Sequence, residues 1–157
     1  MARRMSLEDA NKSECYVLFD SNVLINAYKS VQSNDPYGLK ARDLLMQING
    51  SRRFTSELVL WEFLHPNLPR EDMNSRRKWL KKNFVKVKED RQWGYIDTFK
   101  ALVVLPQARG NPVDGTLAAY SIASKGKFVI ATADGDDFCW HKDIAVIVDF
   151  FRGQICY

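Results

Sequence analysis

The amino-acid sequence predicts an α/β fold: three layers, α/β/α, with a central and mainly parallel sheet. Short apolar runs of strand length alternate with segments of helical spacing along the chain. A chain of 157 residues, 46% of them hydrophobic, can bury one core. We therefore interpret residues 1–157 as a single domain, with residues 1–14 as a flexible or peripheral N-terminal segment.

Each element is predicted from its own local pattern. Apolar runs predict strands at 16–19, 53–55, 127–132 and 144–149. Helical spacing and capping residues predict helices at 22–30, 38–49, 56–65, 72–84, 91–104 and 112–125. Turn-forming residues predict loops at 32–38 and 106–112. In a parallel sheet of this kind, the loops at the carboxyl ends of the strands build the functional site.

Composition excludes several classes of protein. The longest apolar runs, ALVVL and IAVIV, are far shorter than the roughly 18 residues of a membrane span, and the amino terminus has no apolar signal region. Cys15, Cys139 and Cys156 form no C-x-x-C pair, so neither a disulfide framework nor a cysteine zinc site is favoured. These features predict an unexported cytoplasmic protein with no membrane partner.

The stretch YVLFDSNVLINAY, residues 16–28, places a carboxylate, a hydroxyl and an amide directly after a predicted strand. These are Asp20, Ser21 and Asn22. A helix cap explains Asp20 equally well, because such side chains accept hydrogen bonds from free N–H groups at a helix start. The sequence leaves both interpretations open.

A second strand carries acids to the same predicted edge. In KFVIATADGDDF, residues 127–138, the strand is followed by Thr132, Asp134, Asp136 and Asp137. An Asp-Gly turn is the alternative, whereas an EF-hand is excluded because Cys139 stands where that loop needs Gly. Asp134 is nearest the strand end and is the preferred ligand. Asp137 is either a ligand through water or a cap, and Asp136 is expected to be dispensable.

Two further acids come from predicted helices. Asp114 falls in the first turn of a helix that Asn111 caps and Pro112 begins, where the helix dipole alone would favour a carboxylate. Glu62 lies in SELVLWEFLH, an unusually apolar helix for an ionised side chain. Carboxylates crowded together raise each other's pKa unless a dication keeps them ionised. Hard oxygen ligands favour Mg²⁺ or Mn²⁺, and such a site suits phosphodiester hydrolysis.

Positive charge is concentrated in one segment. Between residues 76 and 88 the chain carries Arg76, Arg77, Lys78, Lys81, Lys82, Lys86 and Lys88, without an acid. Such a stripe suits a polyanion such as RNA. The alternative is a solvated helix face whose Trp79, Leu80 and Phe84 dock on the core. In that case RNA would enter elsewhere, for example along Arg52 and Arg53.

The motifs YVLFDSNVLI, LVLWEFL, VDGTLAAYSIASKG and FVIATADGDDF, in this order, resemble the PIN domain, particularly the VapC-type toxins of toxin–antitoxin pairs. The resemblance spans about residues 16–150. It implies a catalytic quartet of Asp20, Glu62, Asp114 and Asp134, metal ligands Asp20, Asp114, Asp134 and Asp137, and supporting residues Ser21, Asn22 and Thr132. It also implies a Mg²⁺- or Mn²⁺-dependent endoribonuclease. For such an enzyme the basic stripe supplies the candidate RNA-binding residues, Arg76, Arg77, Lys78, Lys81 and Lys82. For a toxin, it further implies an antitoxin partner and a homodimer.

Other classes fit the residues less well. A haloacid-dehalogenase-type phosphotransferase needs an acid two positions after its nucleophile, where this chain has Asn22. A response-regulator receiver needs an acid pair that residues 9–14 do not supply on a buried strand. A PIN-like nuclease that processes RNA without being a toxin, and a PIN-like module that binds RNA or protein without cutting, remain alternatives. The long basic 66–111 region and the three acids of ADGDDF depart from the minimal toxin pattern.

Overall fold

Six parallel strands form the central sheet of the computed structural model, which describes residues 1–87, 95–104 and 111–150. Their order across the sheet is β1-β6-β5-β2-β3-β4. The strands are β1 Arg3–Met5, β2 Tyr16–Phe19, β3 Arg53–Thr55, β4 Lys86–Val87, β5 Phe128–Ala131 and β6 Ala145–Ile147. All of the strand pairings in this part of the chain are parallel, so the predicted parallel α/β/α class is confirmed.

Helices connect these strands. They are α1 Leu7–Lys12, α2 Ser21–Lys29, α3 Pro36–Gln47, α4 Glu57–Phe63, α5 Arg70–Lys82, α6 Tyr95–Val104 and α7 Pro112–Ala123. Short 3₁₀ turns lie at Gly50–Arg52 and Gly135–Phe138. The predicted helices correspond to α2 through α7 with shifted ends, and the predicted positions 91–94 fall outside the described residues.

The sequence did not predict β1, α1 or β4. In the N-terminal segment 1–14, β1 pairs with β6 at one edge of the sheet, and Ser6 caps α1 by accepting a hydrogen bond from the N–H of Asp9. The N–H of Leu7 also donates to Asp149 Oδ2 at 2.6 Å. β1 and β4 are too short and too polar to show the apolar pattern of a buried strand. Their places at the edges of the sheet depend on pairing with β6 and β3, which are far away in the sequence.

The central strands β2 and β5 align the site. They pair from Tyr16 with Phe128 to Phe19 with Ala131, and Val17, Leu18, Val129 and Ile130 are fully buried. Because the two strands end level, the N–H of Asp20 donates to the carbonyl of Ala131 at 2.9 Å. The residues that follow β2 and β5 therefore meet at one edge.

The cysteines and the helices bear on the predicted location. Cys15 is a free thiol, whereas Cys139 is disulfide-bonded, although the sequence did not favour a disulfide framework. The cysteines therefore do not support the cytoplasmic location that the sequence predicted. Among the described residues, no helix combines the length and apolarity that a membrane crossing requires.

Candidate active site at the carboxyl edge of the sheet

Asp20 lies at the centre of the acidic edge. It is the N-cap residue of α2, and its Oδ1 accepts a hydrogen bond from the N–H of Ser21 at 2.7 Å, so the capping interpretation is correct as far as it goes. However, Oδ2 also accepts from Thr132 Oγ1 at 2.8 Å and from Asn22 Nδ2 at 3.2 Å, and the residue is only 5% exposed. A cap does not require these two contacts, so Asp20 belongs to a larger polar network.

Asn22 connects the ends of the two central strands. Its Nδ2 lies 3.2 Å from Asp20 Oδ2, 3.2 Å from Thr132 Oγ1 and 2.9 Å from Asp134 Oδ2. Its Oδ1 accepts from the N–H of Ala133 at 3.1 Å. One amide group thereby donates toward two carboxylates, which offsets part of their mutual repulsion. This explains why an amide stands where a phosphotransferase of the haloacid-dehalogenase type would need an acid.

Replacing Asn22 tests this bridge. Asn22→Asp keeps the shape and the bond from Ala133, but it exchanges the donor for another carboxylate beside Asp20 and Asp134. We expect the metal-free protein to lose at least about 2 kcal/mol of unfolding free energy, because two acceptors lose their donor and a like charge is added. Denaturant unfolding near neutral pH measures this loss.

Asn26→Asp is the matched control. Asn26 lies one turn later on α2, and its Nδ2 donates to the backbone carbonyl of Asn22. Asn26→Asp removes one hydrogen bond without placing a charge among the acids, so a smaller loss of unfolding free energy is expected. Equal losses in the two variants would contradict the bridging role.

Ser21 joins the first acid to Glu62. Its hydroxyl donates to Glu62 Oε2 at 2.6 Å, while its N–H donates to Asp20. Glu62 lies on α4, where Val59 and Phe63 are buried but Trp61 is 61% exposed. The apolar residues of α4 are therefore not all buried. Glu62 is half-buried, and its carboxylate accepts the hydrogen bond from Ser21.

A second set of hydroxyls fixes the helices that carry Glu62 and Asp114. Ser56 caps α4, and its Oγ accepts a hydrogen bond from Thr116 Oγ1 of α7 at 3.0 Å. Thr55 Oγ1 donates to the carbonyl of Phe19, the last residue of β2. Sequence reasoning missed these three buried residues. The available signal was that Thr55 ends a strand and Ser56 directly follows it, as Asp20 follows β2.

Asp114 occupies the position predicted for it. Asn111 caps α7 through its Oδ1, Pro112 is the first helical residue, and Asp114 lies in the first turn. The pKa of Asp114 is raised to about 7, chiefly by burial and then by the charges of Asp20, Asp137, Glu62 and Asp134, in that order. Asp114 therefore experiences the field of all the other predicted acids.

The same environment acts on Asp20. Its pKa is raised to about 6: burial is the main cause, hydrogen bonds from Thr132 and from the N–H of Ser21 oppose the rise, and the charges of Glu62 and Asp134 add to it. The carboxylates thus disfavour each other's ionisation. The charges that shift the pKa of Asp20 and Asp114 all come from other acids, so the field at these two carboxylates is negative.

The acids of the ADGDDF loop differ in their contacts. Asp134 accepts from Asn22, and its N–H donates to Thr132 Oγ1 at 3.1 Å. Asp137, in the 3₁₀ turn, is exposed but contributes to the field at Asp114. Asp136 is exposed and is not one of the charges that raise the pKa of Asp20 or Asp114. This difference supports Asp134 and Asp137 over Asp136.

The donor set fits a hard dication. In the parts of the chain that the structure describes, no three His, Cys, Asp or Glu side chains form a ready-made ligand group. Mg²⁺, however, usually keeps several waters and binds directly to one or two carboxylates. Asp20 Oδ2 already accepts two hydrogen bonds, from Thr132 and Asn22. Oδ1 accepts one short bond from the N–H of Ser21 and lies 3.5 Å from the Ser21 hydroxyl, whose single proton is directed to Glu62, so a lone pair of Oδ1 is left for an ion.

The predicted basic stripe separates into two kinds of residue. Arg76 donates to the carbonyl of Phe63 at 2.8 Å, and its guanidinium lies over the rings of Tyr28 and Phe63, at 5.2 and 5.1 Å from their centroids. Arg76 therefore has a packing role. The exposed cations that the stripe contributes to α5 are Arg77, Lys78, Lys81 and Lys82.

A parallel α/β sheet that gathers acids at the carboxyl ends of its central strands defines an α/β protein with an acidic edge site. The PIN-domain family model matches residues 17–142, which include Asp20, Glu62, Asp114 and Asp134, and the chain belongs to this family. PIN domains are in general nucleases, so nucleic acid is the substrate class that the family indicates. No curated protein matches the chain in sequence.

Proposed function

We propose that the protein is a metal-dependent endoribonuclease that hydrolyses RNA phosphodiester bonds. The observation that carries this proposal is the linked set of acids around Asp20. Ser21 and Asn22 connect Asp20 to Glu62 and Asp134, and the field of these acids reaches Asp114. A structural cap has no need of acids from several elements, whereas dication binding does.

The residues have separate roles in this proposal. Asp20, Asp114, Asp134 and Asp137 hold Mg²⁺ or Mn²⁺, directly or through water, and Glu62 completes the catalytic quartet. Such an ion, when bound, polarises a phosphoryl oxygen and lowers the pKa of bound water. Ser21, Asn22 and Thr132 orient the carboxylates through the hydrogen bonds described above.

A turnover assay tests the proposal. The purified protein is incubated with labelled single-stranded RNA in Mg²⁺, in Mn²⁺ and in chelator, and the products are sized. We expect internal cleavage in either metal and none in chelator. RNA binding without cleavage in both metals would contradict the enzyme and favour the non-cutting PIN-like module.

We further propose that the nuclease is a VapC-type toxin that acts in the cytoplasm as a homodimer and has a cognate antitoxin protein. The similarity of YVLFDSNVLI and VDGTLAAYSIASKG to that subfamily supports this. A small DNA-binding-type reading frame directly upstream of the gene is the expected finding. Its absence would favour an RNA-processing nuclease that is not a toxin.

The basic face of α5 leads to a separate prediction about substrate binding. Lys81→Ala with Lys82→Ala is expected to raise the apparent KM and leave kcat near the wild-type value, because these cations contact phosphates rather than the reacting atoms. The salt dependence of binding should flatten by about 0.7 per lost phosphate contact. Initial rates over a range of RNA and salt concentrations measure all three quantities.

The exposed Lys29, at the end of α2, supplies the control, since Lys29→Ala removes a cation outside the stripe. An unchanged KM and salt slope in the double variant would show that the exposed face of α5 is only solvated. Arg76→Ala is unsuitable for this test because it would disturb packing against Tyr28 and Phe63.

A further inference from the structure

A cavity lies where β3 and β4 begin, away from the strand ends that carry the acids. Its volume is about 710 Å³, within the range of small-molecule sites. Met46 and Phe84 supply apolar walls, while Arg53, Lys82 and Lys86 supply positive charge. The described residues that line it include no acid. The cavity therefore combines apolar surface with an excess of positive charge.

Arg53 is a buried cation without a carboxylate partner in the described part of the chain. It is 8% exposed, and its guanidinium donates to the carbonyls of Ile48 and Asn83, both at 2.8 Å. Carbonyls satisfy hydrogen bonds but leave the charge uncompensated, and burial accordingly lowers the pKa of Arg53. A buried, uncompensated guanidinium at a cavity wall is suited to an anion, and phosphate oxygens match its geometry.

Phe84 occupies a backbone position that favours glycine. Asn83 ends α5, and the N–H groups of Phe84 and Val85 donate back to the carbonyls of Lys81 and Leu80, which is the Schellman pattern of a helix end. The residue in the Phe84 position of this motif adopts a left-handed conformation, and Phe84 has φ +56°. A bulky aromatic residue is strained there, where Gly or Asn would not be.

The side chain of Phe84 gains little burial in return. It is 67% exposed, although the sequence suggested that it docks on the core. Its Cβ lies against Gly50, where an added methyl group would approach it to 3.3 Å. An exposed ring held in a strained conformation contributes little to the stability of the fold. Strain of this kind is found at sites of function.

We propose that this cavity binds one nucleotide of single-stranded RNA, with its phosphate near Arg53, Lys82 and Lys86 and its base stacked on Phe84. The identity of the ligand as RNA rests on the proposed function. Aromatic rings beside cations are the usual means of holding single-stranded nucleic acid without sequence readout. Lys78 lies one turn before Lys82 on the same face of α5, so positive surface continues beyond the cavity.

The test measures binding of a short fluorescent single-stranded oligoribonucleotide by anisotropy, in chelator so that no cleavage occurs. Phe84→Asn is expected to weaken binding by about fivefold to a hundredfold, the range for one base–aromatic stack. The same variant should unfold at a higher temperature than wild type, because Asn tolerates the left-handed conformation. Phe84→Trp keeps a stacking surface and should retain the affinity.

Lys125→Asn is the matched control. Lys125 also has a left-handed backbone, with φ 52°, and it is exposed and does not line the cavity. This variant relieves similar strain and removes a cation, so it should gain stability and keep RNA affinity. Equal affinity in wild type and Phe84→Asn would overturn the proposal.

Two further measurements separate other ligands from RNA. The first tests free adenosine monophosphate as a competitor. If it binds more tightly than the oligoribonucleotide and its binding depends on Phe84, the cavity is a site for free nucleotides instead. A change of oligomeric state in Phe84→Asn without a change in RNA affinity would assign it to a protein interface. Phe84-dependent RNA binding without any cleavage would contradict the proposed enzyme and leave this site standing.

Discussion

Asp20→Asn is expected to abolish RNA cleavage while leaving the metal-free protein at least as stable as wild type. The substitution keeps the shape of the side chain but removes the charge at the centre of the acidic network. If Asp20 binds metal, a decrease of about a hundredfold or more in turnover follows, since even changes to groups that only orient a ligand cost 10- to 100-fold. Single-turnover cleavage in Mg²⁺ measures the effect.

The stability part of this prediction compares two opposing terms. The rise in the pKa of Asp20 from 3.8 to about 6 corresponds to roughly 3 kcal/mol held against the ionised form, at 1.36 kcal/mol per unit. An Asn oxygen turned toward Thr132 and Asn22 leaves the N–H of Ser21 without its acceptor, at about 1 kcal/mol. The gain is therefore expected to outweigh the loss, with a net stabilisation of up to about 2 kcal/mol.

The ADGDDF loop provides the controls. Asp134→Asn should also lose turnover, whereas Asp136→Asn should resemble wild type, because Asp136 is exposed and does not affect the pKa of Asp20 or Asp114. An inactive Asp136→Asn beside an active Asp134→Asn would reverse this assignment. A metal-free Asp20→Asn protein that is markedly less stable would return Asp20 to a purely capping role.

The stability of the metal-free protein is expected to fall as the pH rises, and Mg²⁺ or Mn²⁺ should reverse the fall. Asp20 and Asp114 have raised pKa values of about 6 and 7, so the folded state binds their protons more tightly than the unfolded chain does. Their contribution is complete below the ordinary value of 3.8, declines as the pH rises, and is lost above about 7. Metal ions compete with protons for these carboxylates, so metal should stabilise most at the upper end.

Thermal unfolding in chelator and in metal, over this pH range, provides the measurement. At a hundredfold excess of ion over its dissociation constant, the expected gain is about 2.7 kcal/mol. The comparison is made against Asp20→Asn, which should show a shallower decline and a smaller response to metal, because other titrating groups are common to both proteins. An equal metal response in the two proteins would show that the ion binds elsewhere.

Much of the acidic edge could be predicted from sequence because its signals are local. Asp20 directly follows the apolar run of β2, and Asn111 and Pro112 mark the helix start that carries Asp114. The hydrogen bonds from Ser21 to Glu62 and from Thr116 to Ser56 join segments that are distant in sequence, and no local pattern contains them. The same physical limit applies to β1 and β4, whose pairing depends on β6 and β3.

The basic segment shows where local patterns mislead. Charge count alone could not separate Arg76, which packs on two rings, from the exposed cations of the same helix. The docking interpretation was right for Trp79, whose ring lies 5.8 Å from those of Tyr28 and Phe63, and wrong for Phe84. The difference is set by the end of α5 at Asn83, and helix ends are the least certain feature of a sequence prediction.

The common direction of all six strands gives the sheet an electrical polarity. Arg3, Arg53 and Lys86 are the first residues of β1, β3 and β4, and Lys127 directly precedes β5. Asp20 directly follows β2, and Asp134 and Asp149 come shortly after β5 and β6. In the field of an approaching polyanion, such a sheet experiences a torque that turns its positive end forward. A nucleic acid would therefore meet the protein in a preferred orientation, with the acids turned away until cations screen them.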